Sequence, residues 1–308
     1  MFQASAPGKI ILFGEHAVVY GRPALAAPVT EVQATATVSG TPRPGAWLEA
    51  PGIGLRSELS RLAPDHPLAA AVRGVFSALG VSHPPNCTVR IHSSIPVASG
   101  LGSGAAVSVA LIRALSAFLS RPLSDEQVNA LAFEVEKLHH GTPSGIDNTV
   151  VTYGQSVYFR RGKPIERLKV GMPFPLVIGD TGIPAPTKDA VAGVRKLWES
   201  DRRRWESVFD RIEAIVLAAR RALEGGDLRL LGTLMDDNHA LLQELSVSSP
   251  ELDRLVEAAR RSGALGAKLS GGGRGGNMIA LAEPQRAEAV AAALQSAGAR
   301  QTIVTTIS

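Results

Sequence analysis

A glycine-rich turn that runs directly into an apolar helix constrains this chain more than any other feature. In IPVASGLGSGAAVSVALIRA, residues 95–114, Gly100, Gly102 and Gly104 precede a run of small and apolar residues. Such a turn exposes backbone N–H groups that have no partner inside the helix, and the helix dipole adds positive potential at the same end. Because glycine has no Cβ, a phosphate can approach this backbone closely. The stretch predicts a phosphate site, with a purely structural strand-to-helix turn as the alternative.

The spacing of these glycines excludes two common nucleotide-binding loops. A Walker loop has Lys-Ser or Lys-Thr after its glycines, and neither pair follows here. The order G-x-G-x-G also differs from the dinucleotide fingerprint G-x-G-x-x-G. The chemistry must therefore be sought in the rest of the chain.

Length, composition and charge indicate a globular protein of two domains without a nucleic-acid partner. The chain has 308 residues, 45% of them hydrophobic, and a net charge of +4. That length exceeds the usual size of one domain, and the hydrophobic content is sufficient for a sizeable core. The densest basic cluster, at residues 202–204, is typical of a solvated helix face. It lacks the interleaved aromatic residues that single-strand binders use.

Cysteine usage and the N-terminal residues favour a cytoplasmic location. Cys87 is the single cysteine, so no intramolecular disulfide can form, which suits a reducing compartment. The N-terminal MFQASAPGKI has no apolar segment of the kind that signal peptides carry. No uncharged apolar run is long enough to span a bilayer. We expect no membrane partner.

The first half of the chain predicts strands followed by helices. Strand patterns lie at residues 9–14, 24–29, 32–38, 87–92 and 156–159, and helical spacing occurs at 67–79. Ser124 and Gln127 form a capping box that opens a helix over 124–140. Gly141 and Pro143 end it before a short helix at 146–152.

The second half predicts a new arrangement of helices and strands. A strand at 174–180 precedes a long helical region at 187–223 and helices at 227–245 and 250–262. Ser249 would cap the last of these helices, with Pro250 at its first position. A strand at 267–270, a glycine run, a strand at 278–281, a helix at 284–297 and a strand at 302–307 follow. The pattern changes near 165–173, so we expect two α+β domains, residues 1–168 and 169–308.

Charged residues near the glycine turn offer candidates for chemistry. Lys9 lies in an apolar strand, where an unpaired charge is costly. It either extends to water at the strand end or neutralises a carboxylate or phosphate. Glu136 and Asp147 flank a helix break that could aim both carboxylates at one point, as metal-assisted phosphoryl transfer requires. Adjacent His139 and His140 face different sides of a helix and make a poor metal pair, so we expect structural or surface roles for them.

Three segments, in order, resemble the signature motifs of the GHMP kinase superfamily. They are PGKIILFGEHAVVYG, IPVASGLGSGAAVSVA and GAKLSGGGRGGNMIAL. Three further segments are similar to the branch of the superfamily that phosphorylates mevalonate: HGTPSGIDNTVVTYG, GDTGIPAPTKDAVAGVRK and MDDNHALLQELSVSSPELDRL. The resemblance covers nearly the whole chain, and several motifs in register are far more specific than any one of them.

The resemblance implies a fold and an activity. The fold is a two-domain, GHMP kinase-like α+β fold with an N-terminal mixed α/β domain, a C-terminal ferredoxin-like α+β domain and the active site in the cleft between them. The implied activity is ATP-dependent transfer of the γ-phosphoryl group to the primary hydroxyl of mevalonate, with Mg²⁺ as cofactor. It implies small-molecule partners only, and it leaves a homodimer open.

The resemblance also implies roles for particular residues. Asp147 would be the catalytic aspartate and Lys9 the lysine paired with it. Glu136 and Ser103 would bind Mg²⁺, while the substrate would lie near Glu15, His16 and Thr187. The ATP phosphates would be cradled by Pro96, Val97, Ala98, Ser99, Gly100, Leu101, Gly102, Ser103, Gly104, Ala105 and Ala106.

Two positions depart from the superfamily pattern. Gly104 stands where the family usually has a second serine that commonly reaches Mg²⁺, so one metal ligand is missing or is supplied by Ser103 or water. Arg274 replaces a glycine of the third motif and would either touch phosphate or point to solvent. That motif also matches G-x-G-x-x-G, but it leads into a strand, so a second glycine loop is the better interpretation.

Other functions share these motifs. A superfamily kinase for phosphomevalonate, homoserine or a sugar would have the same phosphate turn. A phosphorylated substrate would call for extra cations, for which Arg274 and Lys188 are the obvious candidates. A non-catalytic protein that senses ATP would be favoured by the loss of Lys9 or Asp147, and both are present.

Overall fold

The computed structural model describes residues 1–96, 100–140, 143–184 and 187–308. These residues form two compact units. The first unit consists of Met1–Gly8, Val29–Pro96 and Gly102–Gly154, and the second of Lys9–Pro28, Val97–Leu101 and Gln155–Ser308. The chain thus passes between the units several times. The expected division at residues 168 and 169 describes a single cut in the sequence, and it stays a prediction.

The first unit combines a sheet with a group of packed helices. Its strands are β1 (Phe2–Phe13) and β2 (Ala24–Gly40), which both continue into the second unit, β3 (Ala46–Ala50), β4 (Leu55–Glu58) and β5 (Cys87–Ser93). Strand β2 pairs with β1 and runs antiparallel to β5, which runs parallel to β3, and β3 is antiparallel to β4. The helices are α1 (Pro67–Ala78), α2 (Ser103–Phe118), α3 (Asp125–His140) and α4 (Ile146–Tyr153).

Helix α2 lies at the centre of this helical group. It packs against α1, α3, α4 and β5. Buried small and apolar residues occur all around it rather than on one stripe, which is typical of a helix covered on most sides. Helix α2 is therefore held in place by its neighbours.

The starts of α3 and α4 follow from local capping. The Ser124 N–H donates to Gln127 Oε1 at 3.0 Å and the Gln127 N–H donates to Ser124 Oγ at 3.4 Å, which confirms the predicted capping box. Helix α4 begins after Gly145, which has a φ of 95°. The Ser144 hydroxyl accepts from the Ile146 N–H at 3.3 Å at this end.

The second unit contains a four-stranded antiparallel sheet with the order β11-β8-β10-β9. Its strands are β8 (Phe174–Asp180), β9 (Gly266–Ser270), β10 (Asn277–Leu281) and β11 (Gln301–Ile307). The helices are α5 (Thr187–Ser200), α6 (Arg202–Gly225), α7 (Leu228–Glu244), α8 (Pro250–Arg261) and α9 (Ala287–Ser296). Helices α5 to α8 follow β8, and α9 joins β10 to β11. This β-α-β-β-α-β connectivity confirms the expected ferredoxin-like arrangement.

Two shorter strands in the second unit extend the start of β2. Strand β6 (Val157–Phe159) runs antiparallel to the first residues of β2, with Ala24 opposite Phe159. Strand β7 (Glu166–Arg167) pairs with β6.

Some element bounds differ from the sequence-based expectation. The two strands expected at 24–29 and 32–38 form the single strand β2. The helical region expected at 187–223 is divided at Asp201, whose carboxylate accepts from the Arg204 N–H at 3.0 Å and so begins α6. No helix within the described ranges is both long and apolar enough to cross a membrane.

Candidate active site

The described glycines of the turn adopt backbone conformations that favour glycine. Gly100 and Gly102 have φ values of 87° and 73°, which glycine adopts without steric cost. Gly102 is the N-cap residue of α2, and its carbonyl accepts from the Ala106 N–H at 2.9 Å. The N–H groups that precede Ala106 in the first turn of α2 have no partner inside the helix. Of the predicted phosphate residues, Val97, Ala98 and Ser99 lie outside the described residues.

Lys9 lies beside this turn. Its backbone N–H donates to the carbonyl of Leu101 at 2.9 Å, so strand β1 is bonded to the residue immediately before Gly102. The residue is only 4% exposed. Burial of this degree argues against an ammonium extended into water and favours neutralisation by an acidic group.

The carboxylates of Glu136 and Asp147 come from helices that pack against each other and against α2. Glu136 is buried near the end of α3, and Asp147 lies in the first turn of α4. Gly145 occupies the cap position of α4, with the Ser144 hydroxyl beside it, and Asp147 follows two positions later. A carboxylate in the first helical turn is stabilised by the helix dipole.

These helices place three predicted site residues in the first unit: Ser103 begins α2, Glu136 lies in α3 and Asp147 in α4. The pairing of Asp147 with Lys9 stays a prediction. In the described part of the chain, no cluster of three or more His, Cys, Asp and Glu side chains could hold a metal. The side chains of His139 and His140 lie outside that part.

His16 is fixed in an unusual conformation next to the third glycine motif. Its φ is 61°, a value that costs a non-glycine residue about 1–3 kcal/mol and persists only where the surroundings enforce it. The ring Nε2 lies 3.0 Å from the carbonyl oxygen of Gly272. Burial lowers the pKa of His16 to about 4, the Gly272 bond opposes this shift, and the charge of Arg274 adds to it. The ring is therefore neutral at pH 7, with Nε2–H as donor and Nδ1 as acceptor.

Thr187 meets the same glycine. A Cβ on Gly272 would lie 3.3 Å from Thr187 Cα and 3.4 Å from its hydroxyl oxygen. Gly272 thus has room for Thr187 on one side while its carbonyl accepts from His16. Two of the three predicted substrate residues are brought together by the backbone of this glycine loop.

Glu15, the third, forms a fully buried ion pair that the sequence did not reveal. Lys268 on β9 donates from Nζ to Glu15 Oε1 and also to the Leu269 carbonyl at 2.7 Å, and neither side chain of the pair has any exposed surface. Burial raises the pKa of Glu15 against the opposing charges of Lys268 and Lys9. Burial lowers the pKa of Lys268, which Glu15 opposes. Glu15 Oε2 is buried and has no hydrogen-bond partner among the described residues.

The segment that carries Glu15 and His16 continues into a short 3-10 helix, Ala17–Tyr20, which is anchored by aromatic and ionic contacts. Tyr20 stacks on Phe209 with ring centroids 4.3 Å apart, and it also contacts Trp198 at 5.4 Å. Arg22 donates to Asp210 Oδ1 at 2.7 Å. Helices α5 and α6 thereby hold Tyr20 and Arg22, the residues that follow His16 in the chain.

Arg274 contacts protein groups. Its N–H donates to the Val247 carbonyl at 2.7 Å, and its Nε lies 3.4 Å from the Ser246 carbonyl. The guanidinium lies where a side chain on Gly193 of α5 would otherwise be. The backbone φ of Arg274 is 61°, which explains why glycine suits this place in the motif. The residue is exposed but held against α5, and the proposed contact with phosphate stays a prediction.

Comparisons with known proteins agree with these motifs. Residues 67–155 match the family described as GHMP kinases N terminal domain, and residues 219–300 match GHMP kinases C terminal. The chain is 41% identical over 322 residues to a mevalonate kinase of Thermococcus sibiricus, covering 99% of this chain and 96% of that protein. It is also 41% identical to one of Pyrococcus horikoshii, covering 96% of this chain and 92% of that protein.

Solved structures give the same result. The crystal structure of L. major mevalonate kinase in complex with R-mevalonate superposes with a TM-score of 0.86 at 33% identity, covering 100% of this chain and 96% of that chain. Both family domains are matched in order, and the relatives are similar over nearly their full length. The chain therefore belongs to the GHMP kinase family, and within it to the mevalonate kinases.

Proposed function

We propose that this chain transfers the γ-phosphoryl group of ATP to the primary hydroxyl of mevalonate, giving 5-phosphomevalonate for isoprenoid precursor synthesis. The observation that carries this proposal is 41% identity to a mevalonate kinase over 99% of the chain. Both residues expected to act on the reacting groups, Lys9 and Asp147, are present. Their presence favours an enzyme over a sensor that binds ATP without turnover.

The reaction needs positioning and charge more than covalent chemistry from the protein. Asp147 would accept the proton of the attacking hydroxyl or orient that hydroxyl. Its place in the first turn of α4 favours the carboxylate form through the helix dipole. Lys9 would stabilise charge at the same oxygen, and its backbone bond to Leu101 ties its strand to the phosphate turn.

The phosphates of ATP would lie at the N-terminus of α2. The N–H groups of residues 102–105 would be the donors at this end, since the Ala106 N–H already bonds to the Gly102 carbonyl. This arrangement supports ATP as phosphoryl donor without a Walker lysine.

Glu136 and Ser103 have the ligand chemistry that Mg²⁺ prefers, since both offer oxygen atoms and Mg²⁺ commonly takes one or two carboxylates and completes its shell with phosphate oxygens and water. The bound ion would neutralise charge that develops on the phosphates. Glu136 is buried on α3 and Ser103 begins the adjoining helix α2. Gly104 offers no hydroxyl, so this site depends on Glu136 and Ser103 from the chain.

The acceptor would lie against Glu15, His16 and Thr187. Because the Nε2–H of His16 is engaged by Gly272, the ring would offer Nδ1 as an acceptor to a substrate hydroxyl. The Thr187 hydroxyl can donate or accept. These groups suit a polar acceptor with several hydroxyls.

We place the enzyme in the cytoplasm, which the single buried cysteine favours. Assembly into a homodimer stays open, and sedimentation of the purified protein would decide it.

A substrate screen tests the proposal. ADP release would be measured with mevalonate, phosphomevalonate, homoserine and galactose as acceptors, with a reaction lacking acceptor as the control for ATP hydrolysis. We expect turnover with mevalonate, and a phosphomonoester on its primary hydroxyl by ³¹P NMR. Turnover of another acceptor with none of mevalonate would refute the substrate.

A further inference from the structure

Successive contacts join the segment around the end of β1 to the segment around the end of β9. The Ser270 hydroxyl donates to the Ile11 carbonyl at 2.8 Å. Lys268 Nζ donates to the Glu15 carboxylate, and the His16 ring bonds to the Gly272 carbonyl at 3.0 Å. Three side-chain contacts therefore join residues 11–16 to residues 268–272.

The buried ion pair between Lys268 and Glu15 costs free energy to form, because both charges must be dehydrated. Dehydrating two charges costs several kcal/mol for each ion, and apolar residues of the same volume often stabilise a fold as well or better. The neighbours of Lys268 on its strand are the apolar Ala267 and Leu269, and its ammonium lies 5.9 Å from the centre of the Phe13 ring. Stability alone therefore does not explain an ion pair at this place.

The ion pair holds Glu15 in position, and with it the next residue, His16. The positive φ of His16 persists only because contacts on both sides enforce it. The bond from Lys268 fixes the residue immediately before, and the bond to Gly272 fixes the ring. Thr187 packs against the same Gly272, so the relative position of His16 and Thr187 depends on this fastening.

We infer that Lys268 is a positioning residue of the acceptor site, which holds the Glu15 carboxylate and, through it, the His16 ring in the orientation that binds the phosphoryl acceptor. The inference rests on the proposed function, since it takes Glu15, His16 and Thr187 as the residues that line the acceptor. Lys268 itself is covered by the protein and acts through Glu15.

Lys268→Met tests the inference by removing the charge while keeping the length of the side chain. We expect KM for the acceptor to rise by about tenfold or more, the scale of one hydrogen bond to a charged group. KM for ATP should stay within about twofold, since the first turn of α2 does not depend on this pair. Arg220→Gln is the matched control, because it removes ion pairs with Glu166 and Glu224 from the same unit. It should leave both KM values unchanged.

The pH dependence separates positioning from a loss of packing. Without Lys268 the pKa of the buried Glu15 carboxyl rises further, so the acceptor KM of Lys268→Met should fall as pH rises, more steeply than in wild type. The double variant Glu15→Gln/Lys268→Met has no charge to titrate there. It should keep a raised KM with the wild-type slope.

The double variant also guards against misfolding, because it removes both charges of the buried pair together. An acceptor KM equal to wild type in either variant would overturn the inference, as would a tenfold rise without the new pH dependence in Lys268→Met. All ratios are measured with the acceptor that the wild type turns over. A different acceptor would refute the proposed function while leaving the test of Lys268 intact.

Discussion

Acid should weaken the attachment of α7 to the edge strand β9 through His239. This ring is 2% exposed, its Nδ1 accepts from the Leu269 N–H at 3.3 Å, and its Nε2 lies 3.2 Å from Asp253 Oδ1. The neutral ring with its proton on Nε2 satisfies both contacts. A second proton would sit on Nδ1 and face the Leu269 donor.

The pKa of His239 is lowered chiefly because the ring is buried. Burial lowers it from 6.5 to about 4, Asp253 opposes the shift, and the charges of Arg260 and Lys268 add to it. The unfolded chain therefore takes up the proton first as pH falls. The contribution of His239 to stability is complete above about pH 6.5, is lost as pH falls, and levels off below about pH 4.

The magnitude follows from these values. A pKa of about 4 in the folded chain and 6.5 in the unfolded chain corresponds to a loss of about 2 kcal/mol between pH 7 and pH 5, and about 3 kcal/mol when fully developed. His16 acts in the same direction, since its pKa is also lowered to about 4. Glu15 acts in the opposite direction because its pKa is raised. The share of His239 must therefore be isolated by mutation.

His239→Asn isolates it, because the Asn Oδ1 takes the place of the ring Nδ1 and can still accept from Leu269 but does not titrate. Urea denaturation at pH 7 and pH 5 should show a loss of stability that is smaller in the variant than in wild type by about 2 kcal/mol. The exposed His83 provides the control: His83→Asn should leave the wild-type difference between the two pH values unchanged. An undiminished loss in His239→Asn would refute the reasoning.

The remaining predictions concern catalysis. Asp147→Asn should lower kcat by about 10²-fold or more, as removal of a general base does, with little change in ATP binding by calorimetry, and near-wild-type turnover would contradict the catalytic role. Gly102→Val should weaken ATP binding, because Gly102 has a φ of 73° where a β-branched residue is strained, and unchanged affinity in a folded variant would count against the phosphate turn. Gly104→Ser should lower the Mg²⁺ concentration needed for tight ATP binding, since it adds a hydroxyl in the first turn of α2, and an unchanged requirement in a Mg²⁺ titration would argue against a missing ligand.

Local signals in the sequence predicted much of the fold. Ser124 and Gln127 predicted the start of α3, and Ser249 with Pro250 predicted the start of α8. These predictions succeeded because a helix end is determined by a few neighbouring residues. Strand β8 was predicted at residues 174–180 and is found there. Strands β3 and β4 were missed, since each is short and their pairing with residues elsewhere in the chain decides their structure.

The candidate site divides in the same way. The glycine turn could be recognised because the residues that form it are adjacent in the sequence. The positive φ values of Gly100 and Gly102 agree with a tight glycine turn. The partner of Glu15 could not be recognised, because Lys268 is 253 positions away and only the fold joins them. A signal was nevertheless present. Lys268 stands between apolar residues of a buried strand, as Lys9 does, and the cost of burying an unpaired ammonium requires an acidic partner for each.

The start of α4 bears on whether Asp147 could serve as a helix cap instead of a catalytic group. An aspartate near a helix start serves as cap in many proteins, and Asp147 follows Gly145 closely enough for that interpretation. In this chain Gly145 holds the cap position, Ser144 accepts from Ile146, and the Thr149 hydroxyl donates to the Gly145 carbonyl at 2.7 Å. Asn is itself favoured at helix starts, so Asp147→Asn should leave the helix intact. A loss of turnover in that variant would then report on chemistry rather than on folding.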